Sequence, residues 1–184
     1  MGKLEAVFEK EGISMPAWDS YGFDGLLTHV LEGIPIDEKI FYFAKIKEHP
    51  ATKEKSQELI KERRSVKTYL EKQGFKVILS GVVRGHNTKD LKGREVLIFK
   101  EKGVDVSIAV DMVTAACDGS IKTAIIGSSD SDLQPAVREL NKRNVECIYL
   151  GFEIMPNKGL TATTKRTILI RNSEVLNYKQ GLPL

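Results

Sequence analysis

The chain of 184 residues is poor in the groups that announce many kinds of chemistry: it has two cysteines, three histidines and one tryptophan. Cys117 and Cys147 stand in apolar surroundings at no metal-like spacing. They read as two buried thiols of a protein kept in a reducing cytoplasm, not as metal ligands. No apolar run approaches the length of a membrane span, and Met1 is not followed by a signal-like apolar segment. No G-x-G-x-x-G follows a strand pattern, which counts against a dinucleotide site. Internal repeats, linkers and low-complexity tracts are absent as well. A strong charge of either sign is also missing: the net charge is only +3.

What is there fits a globular α/β domain. Apolar residues at 41% and charged residues at 29% leave enough material for one real core. The small net charge is unevenly placed. Residues 1–50 carry nine Asp/Glu against five Lys/Arg, whereas residues 76–102 carry seven basic residues against Asp90, Glu95 and Glu101. From Ile154 to the end, five basic residues face Glu174 alone. Basic segments flanking acidic ones suit a polyanion, although such segments also serve simply as solvated faces.

Periodicity and punctuation predict the elements. Lys3–Lys10 is a short amphipathic helix ended by Gly12, and Asp24–Leu31 is a second helix closed by Gly33. Trp18 and Tyr21 between them read as packing residues, with base stacking as the alternative. Glu38–Lys47 is a strand, a long helix runs from Pro50 to about Gln73, and Phe75–Val83 is a further strand. Residues 84–94 (RGHNTKDLKGR) are polar and aperiodic and read as a loop. With Glu95–Phe99 as a short strand, residues 84–102 form a basic loop or hairpin arm. Downstream lie a helix at Gln134–Arg143, strands at Val145–Leu150 and Thr167–Ile170, and helical turns at Leu160–Arg166 and Ser173–Tyr178.

The most informative stretch is Gly103–Leu133, GVDVSIAVDMVTAACDGSIKTAIIGSSDSDL. It reads as a largely buried helix, a turn, the short buried strand Thr123–Gly127, and the start of another helix. Ser128, Ser129, Asp130, Ser131 and Asp132 then fall at the carboxyl end of that strand, where open α/β sheets bind ligands. Asp105 lies in the first turn of the preceding helix, and antiparallel packing of a crossover helix would bring that turn to the same edge. Oxygen ligands without His or Cys suit Mg²⁺ or Mn²⁺. Such an ion polarises a phosphoryl oxygen and generates hydroxide from water. The structural alternative is capping: Ser131 with Gln134 fits the S-x-x-Q capping box, and Asp132 would sit at a positive helix end.

The pairing of GVDV-x5-D with a later S-x-D-S-D at a strand end resembles the NYN domain, in the LabA-like branch of the PIN-type ribonucleases. The likeness extends over about residues 38–176 in order of elements. The resemblance implies a three-layer, Rossmann-like α/β fold with a mainly parallel sheet and an acidic divalent-metal pocket that hydrolyses RNA. It implies that Asp105, Asp130 and Asp132 are metal ligands and catalytic residues. Ser128 and Ser129 would support them. Asp111 matches a further acidic helix position, but it points about 120° away from Asp105 on a helix and is read as supporting. Arg84, His86, Lys89, Lys92, Arg94, Lys165 and Arg166 are the candidates for RNA phosphate contacts, with His86 alternatively a general acid.

The chain departs from the family pattern at its start. The family opens with an apolar strand ending in an Asp-Gly-x-Asn turn, whereas this chain opens MGKLEAVFEKEG, which reads as a helix. The expectation is therefore a single NYN domain over 1–184 that lacks the first strand and its aspartate, with a homodimer as one way to cover the exposed strand edge. The leading function is metal-dependent RNA hydrolysis. A non-catalytic RNA-binding or scaffold module is the alternative. A phosphotransfer site of the Toprim kind would need a Glu at an earlier strand end, and none is so placed.

Overall fold

The computed structural model describes residues 2–47, 53–89 and 93–179. Contacts divide the chain into two compact units: residues 37–107, and residues 1–36 joined with 108–184.

The first of these carries β1 (Lys39–Ile46), α3 (Lys53–Lys72), β2 (Phe75–Lys89) and β3 (Glu95–Lys102), numbered here with the elements of the other unit in chain order. Its three-stranded sheet has the order β1-β2-β3. β1 and β2 are parallel, and β2 and β3 are antiparallel, so this sheet is mixed and the expected mainly parallel character holds here only in part. α3 supplies Val66 and Leu70 to the core, while the face of β1 and β2 that bears Phe43 and Phe75 supplies the rest. Arg63 of α3 lays its guanidinium 4.2 Å from the Phe43 ring centroid, a cation–π contact that covers the sheet with a charged residue's stem.

The expected loop at 84–94 is mostly strand. β2 runs unbroken to Lys89, and Val82–Lys89 pairs residue for residue with Lys102–Glu95. Residues 82–89 and 95–102 thus form an antiparallel pair. Its strands read as loop because a two-stranded arm has little core to face, so its sequence carries no alternation. Within the β1–β2 pairing the register slips between Phe43 and Lys45, and two residues, Ser80 and Gly81, stand against one. Gly81 has φ +65, and a Cβ there would lie 2.5 Å from the Lys102 carbonyl oxygen and 2.9 Å from the Val104 nitrogen. A bulge of this kind needs a residue free of a side chain. It also lets β2 pass directly beneath the start of α4 (Val104–Cys117), the helix that carries Asp105.

The other unit contains a fully parallel sheet of order β4-β5-β6: Thr123–Ile126, Glu146–Phe152 and Arg166–Ile170. β5 is central and buried from Cys147 to Gly151 on both faces, as a strand inside a layered α/β sheet must be. Between the strands run α5 (Gln134–Lys142) and α6 (Lys158–Thr163). Leu133, Val137, Leu140, Val145, Cys147, Tyr149 and Leu160 form one core cluster, with Ile108, Ala109, Met112 and Val113 of α4 packed against it. The terminal helices α1 (Gly2–Lys10), α2 (Phe23–Val30) and α7 (Asn172–Asn177) meet around a second aromatic group. There Phe8, Trp18, Tyr21 and Phe23 pack edge to face or tilted, and Tyr21 donates a 2.8 Å hydrogen bond to the Val175 carbonyl. Tyr21 and Trp18 are thus packing residues.

Two burial expectations fail. Cys147 is fully buried, and burial raises its thiol pKa to about 11, but Cys117 is exposed at the last position of α4. α4 is also less buried than its small apolar residues suggest: Val106 and Val110, one turn apart, are 66% and 56% exposed. An almost uniformly apolar helix hides its polarity pattern, so its outward face cannot be read from composition.

Candidate functional site: the acidic turn after β4

The chain leaves β4 at Ile126, crosses Gly127 and turns through Ser128–Asp132. Local polar groups fix this turn. The Ser128 hydroxyl oxygen accepts a hydrogen bond from the Asp130 backbone N–H at 3.1 Å. Asp130 in turn accepts the Asp132 N–H on Oδ1 at 2.8 Å, which caps the short 3₁₀ turn Ser131–Leu133. Thus Asp130 performs the capping, not Ser131. Gln134, the expected partner of a Ser131 capping box, instead accepts a hydrogen bond from the Thr163 hydroxyl at 3.2 Å. The reason is the 3₁₀ turn: it delays α5 until Gln134, with the uncapped Leu133 before it.

One residue that the sequence reading passed over ties this turn to the rest of the unit. Asn157, in the loop after β5, donates from Nδ2 to the Ser129 carbonyl at 2.9 Å and to the Ser131 hydroxyl at 3.0 Å. Its Oδ1 accepts the Leu160 N–H at 2.9 Å and so caps α6. Its backbone N–H donates to the buried Tyr149 hydroxyl at 2.9 Å. Asn before a short apolar helix is an N-cap signal that the sequence does carry, but its partners 26 and 28 residues away are not visible there. Asn157→Ala removes a cap and two bridging bonds together. It should cost about 1–3 kcal/mol in urea denaturation. No change in the midpoint would show that the turn is held by other means.

Beside the turn is a shallow cleft of about 240 Å³, lined by Lys3, Ser129, Ser131, Met155, Pro156, Asn157, Lys158 and Gly159. Lys3 and Lys158 are cations near the acidic turn that the sequence analysis did not single out.

The expected site residues distribute as follows. Asp130 and Asp132 share the turn, with Asp130 half-buried and Asp132 exposed, and Ser128 and Ser129 precede them. Asp105 is half-buried in the first turn of α4 and belongs to the 37–107 unit, while Asp111 lies exposed further along the same helix. Among the described residues, no three or more His, Cys, Asp or Glu side chains form a ready-made metal cluster. Lys165 and Arg166 are exposed at the start of β6. This is two strands across from β4, roughly 10 Å by strand spacing. Lys89 closes β2 and Arg94 precedes β3, both exposed. Arg84 and His86 are on β2, but their side chains, like the whole of Lys92, lie outside the described residues.

A parallel strand that ends in an acidic, self-capped turn, with helices returning the chain to neighbouring strands, makes this an α/β domain. More narrowly, residues 12–171 match the sequence model of the NYN domain, and the chain belongs to the NYN domain family. Its fold is similar to that of a protein of unknown function from Vibrio parahaemolyticus RIMD 2210633, with a TM-score of 0.54 over 82% of this chain and 80% of that one. The two are 19% identical, so that likeness speaks for the fold alone. No curated protein sequence matches the chain.

Proposed function

We propose that the protein is a divalent-metal-dependent ribonuclease of the LabA-like NYN branch, with the acidic turn after β4 at its centre. The observation that carries this reading is the turn itself: two carboxylates, two residues apart, held at the end of a parallel strand in a chain that belongs to the NYN family. Asp130 spends Oδ1 on the Asp132 N–H, which leaves Oδ2 directed by a fixed carboxylate. Mg²⁺ keeps several waters and is commonly held by only one or two carboxylates plus substrate phosphates, so this donor set fits Mg²⁺ or Mn²⁺ without an all-protein cage. The resemblance to the NYN domain gives Asp105 a metal-ligand role as well.

The bound ion would supply Lewis-acid activation of a phosphodiester and of the attacking water. The chain's own contribution is to hold that charge in a defined place. Ser128 restrains the Asp130 backbone, and the Asp130 carboxylate is kept in one rotamer by the bond that caps the turn. The RNA contacts assigned to Arg84, His86, Lys89, Lys92, Arg94, Lys165 and Arg166 belong to the same proposal. They would position the strand and carry no sequence information.

Removal of the metal is the test. A single-stranded RNA should be cleaved in Mg²⁺ or Mn²⁺ and left intact in EDTA, with activity returning when the ion is restored. Cleavage indifferent to EDTA would contradict the metal dependence, and no cleavage in generous Mn²⁺ would leave the non-catalytic RNA-binding module in its place.

A further inference from the structure

Two lysines, Lys3 and Lys158, line the cleft beside the acidic turn of Asp130 and Asp132. The Lys3 ammonium lies 2.7 Å from the Met155 sulfur, a weak acceptor with no charge to offer. Lys158 also lines the cleft and is exposed. Among the described residues neither is in an ion pair. Lys67, Lys76 and Lys142 show the contrast, each paired with a glutamate at 2.6–3.2 Å. Ser129 and Ser131 add hydroxyl groups to the lining, and the Ser131 hydroxyl both accepts from Asn157 Nδ2 at 3.0 Å and donates to Asn157 Oδ1 at 3.5 Å. Met155 and Pro156 supply an apolar wall.

We propose that this cleft receives the terminal phosphate monoester of an RNA strand, held by Lys3 and Lys158. This deepens the proposed function, resting on it only for RNA as the ligand. Two ammonium groups match a monoester, which carries about −1.5 to −2 at neutral pH. An internal diester carries a single charge. Size agrees: at about 240 Å³ the cleft is smaller than the ~300–1,000 Å³ pockets that enclose whole small molecules. It has room for the end group of a longer ligand. Lys–phosphate contacts are charge-assisted and stronger than neutral hydrogen bonds.

The experiment is binding, read by fluorescence anisotropy in EDTA so that cleavage plays no part. Three versions of one oligoribonucleotide are compared: 5′-phosphorylated, 3′-phosphorylated, and hydroxyl at both ends. The wild-type protein should bind one phosphorylated form at least roughly tenfold more tightly than the hydroxyl form. A Lys3→Gln/Lys158→Gln double variant should lose that preference yet bind the hydroxyl form as the wild type does. This last value also checks that the variant is folded. Equal affinity for all three strands, or a preference that survives the double variant, overturns the assignment. AMP is the free-nucleotide arm. Displacement of the phosphorylated strand only by a large excess of AMP supports a strand end, and displacement at equal concentration gives the cleft to free nucleotides and overturns it. An enzyme inactive toward RNA would leave this binding preference intact, so the two proposals fail separately.

Discussion

Asp130→Asn should lower RNA cleavage by about 10³-fold, the loss expected when several kcal/mol of metal-borne charge stabilisation disappear, while stability stays within about 0.5 kcal/mol of the wild type. This substitution separates the two roles that the aspartate combines. As a cap, Asp130 uses one oxygen to accept the Asp132 N–H. An asparagine side chain offers the same oxygen, and Asn is as good an N-cap as Asp. What asparagine cannot offer is negative charge for a cation. If capping were the whole purpose of the residue, the variant would resemble the wild type in every assay. Asp130→Ala, by contrast, should lose both cleavage and about 0.5–2 kcal/mol of stability.

Gly81→Ala should destabilise the protein by about 2–5 kcal/mol, through left-handed strain plus overpacking. Ordinarily Gly→Ala helps, because it narrows the unfolded ensemble by about 0.4–1 kcal/mol. Here the sign reverses for two reasons. The residue sits at φ +65, where an L side chain is strained, and its Cβ would lie 2.5 Å from the Lys102 carbonyl oxygen. That oxygen is backbone and cannot swing aside as a side chain would. Relief requires moving the β3–α4 junction, where Gly103 at φ +91 packs back against Gly81 and its carbonyl accepts bonds from the Ser107 N–H and hydroxyl. Asp105 lies between those two residues, so the variant should also be impaired in cleavage where it remains folded. Urea denaturation measures the first effect; a midpoint equal to or above that of the wild type would show that the bulge tolerates a side chain.

What could be read from the sequence follows from how far each signal travels along the chain. Gly12, Gly33 and Gly74 adopt positive φ where helices were expected to stop. The Asp130 turn was legible because strand, turn and helix start are contiguous. The reading failed where the deciding contact is distant. Residues 84–89 are strand because Glu95–Lys102 pairs with them across the hairpin, not because of any alternation of their own. Ser131 looked like a cap, yet Asp130 took that role and Ser131 was claimed by Asn157. Lys3 and Lys158 are 155 positions apart and line one cleft only because α1 and α6 belong to the same unit. Cys117 looked buried by its neighbours, but the end of α4 turns it outward, with its sulfur 3.2 Å from Arg143 Nε.

The claim on which the functional account depends is that the acidic turn holds a divalent ion. Electron paramagnetic resonance counts free Mn²⁺ directly, with no substrate present. The wild-type protein should deplete the free signal at stoichiometric protein, and Asp130→Asn, folded and capped as before, should leave it undiminished. Equal depletion by both proteins would contradict the account, for it would mean that any bound ion sits elsewhere and that Asp130 is no more than a helix cap.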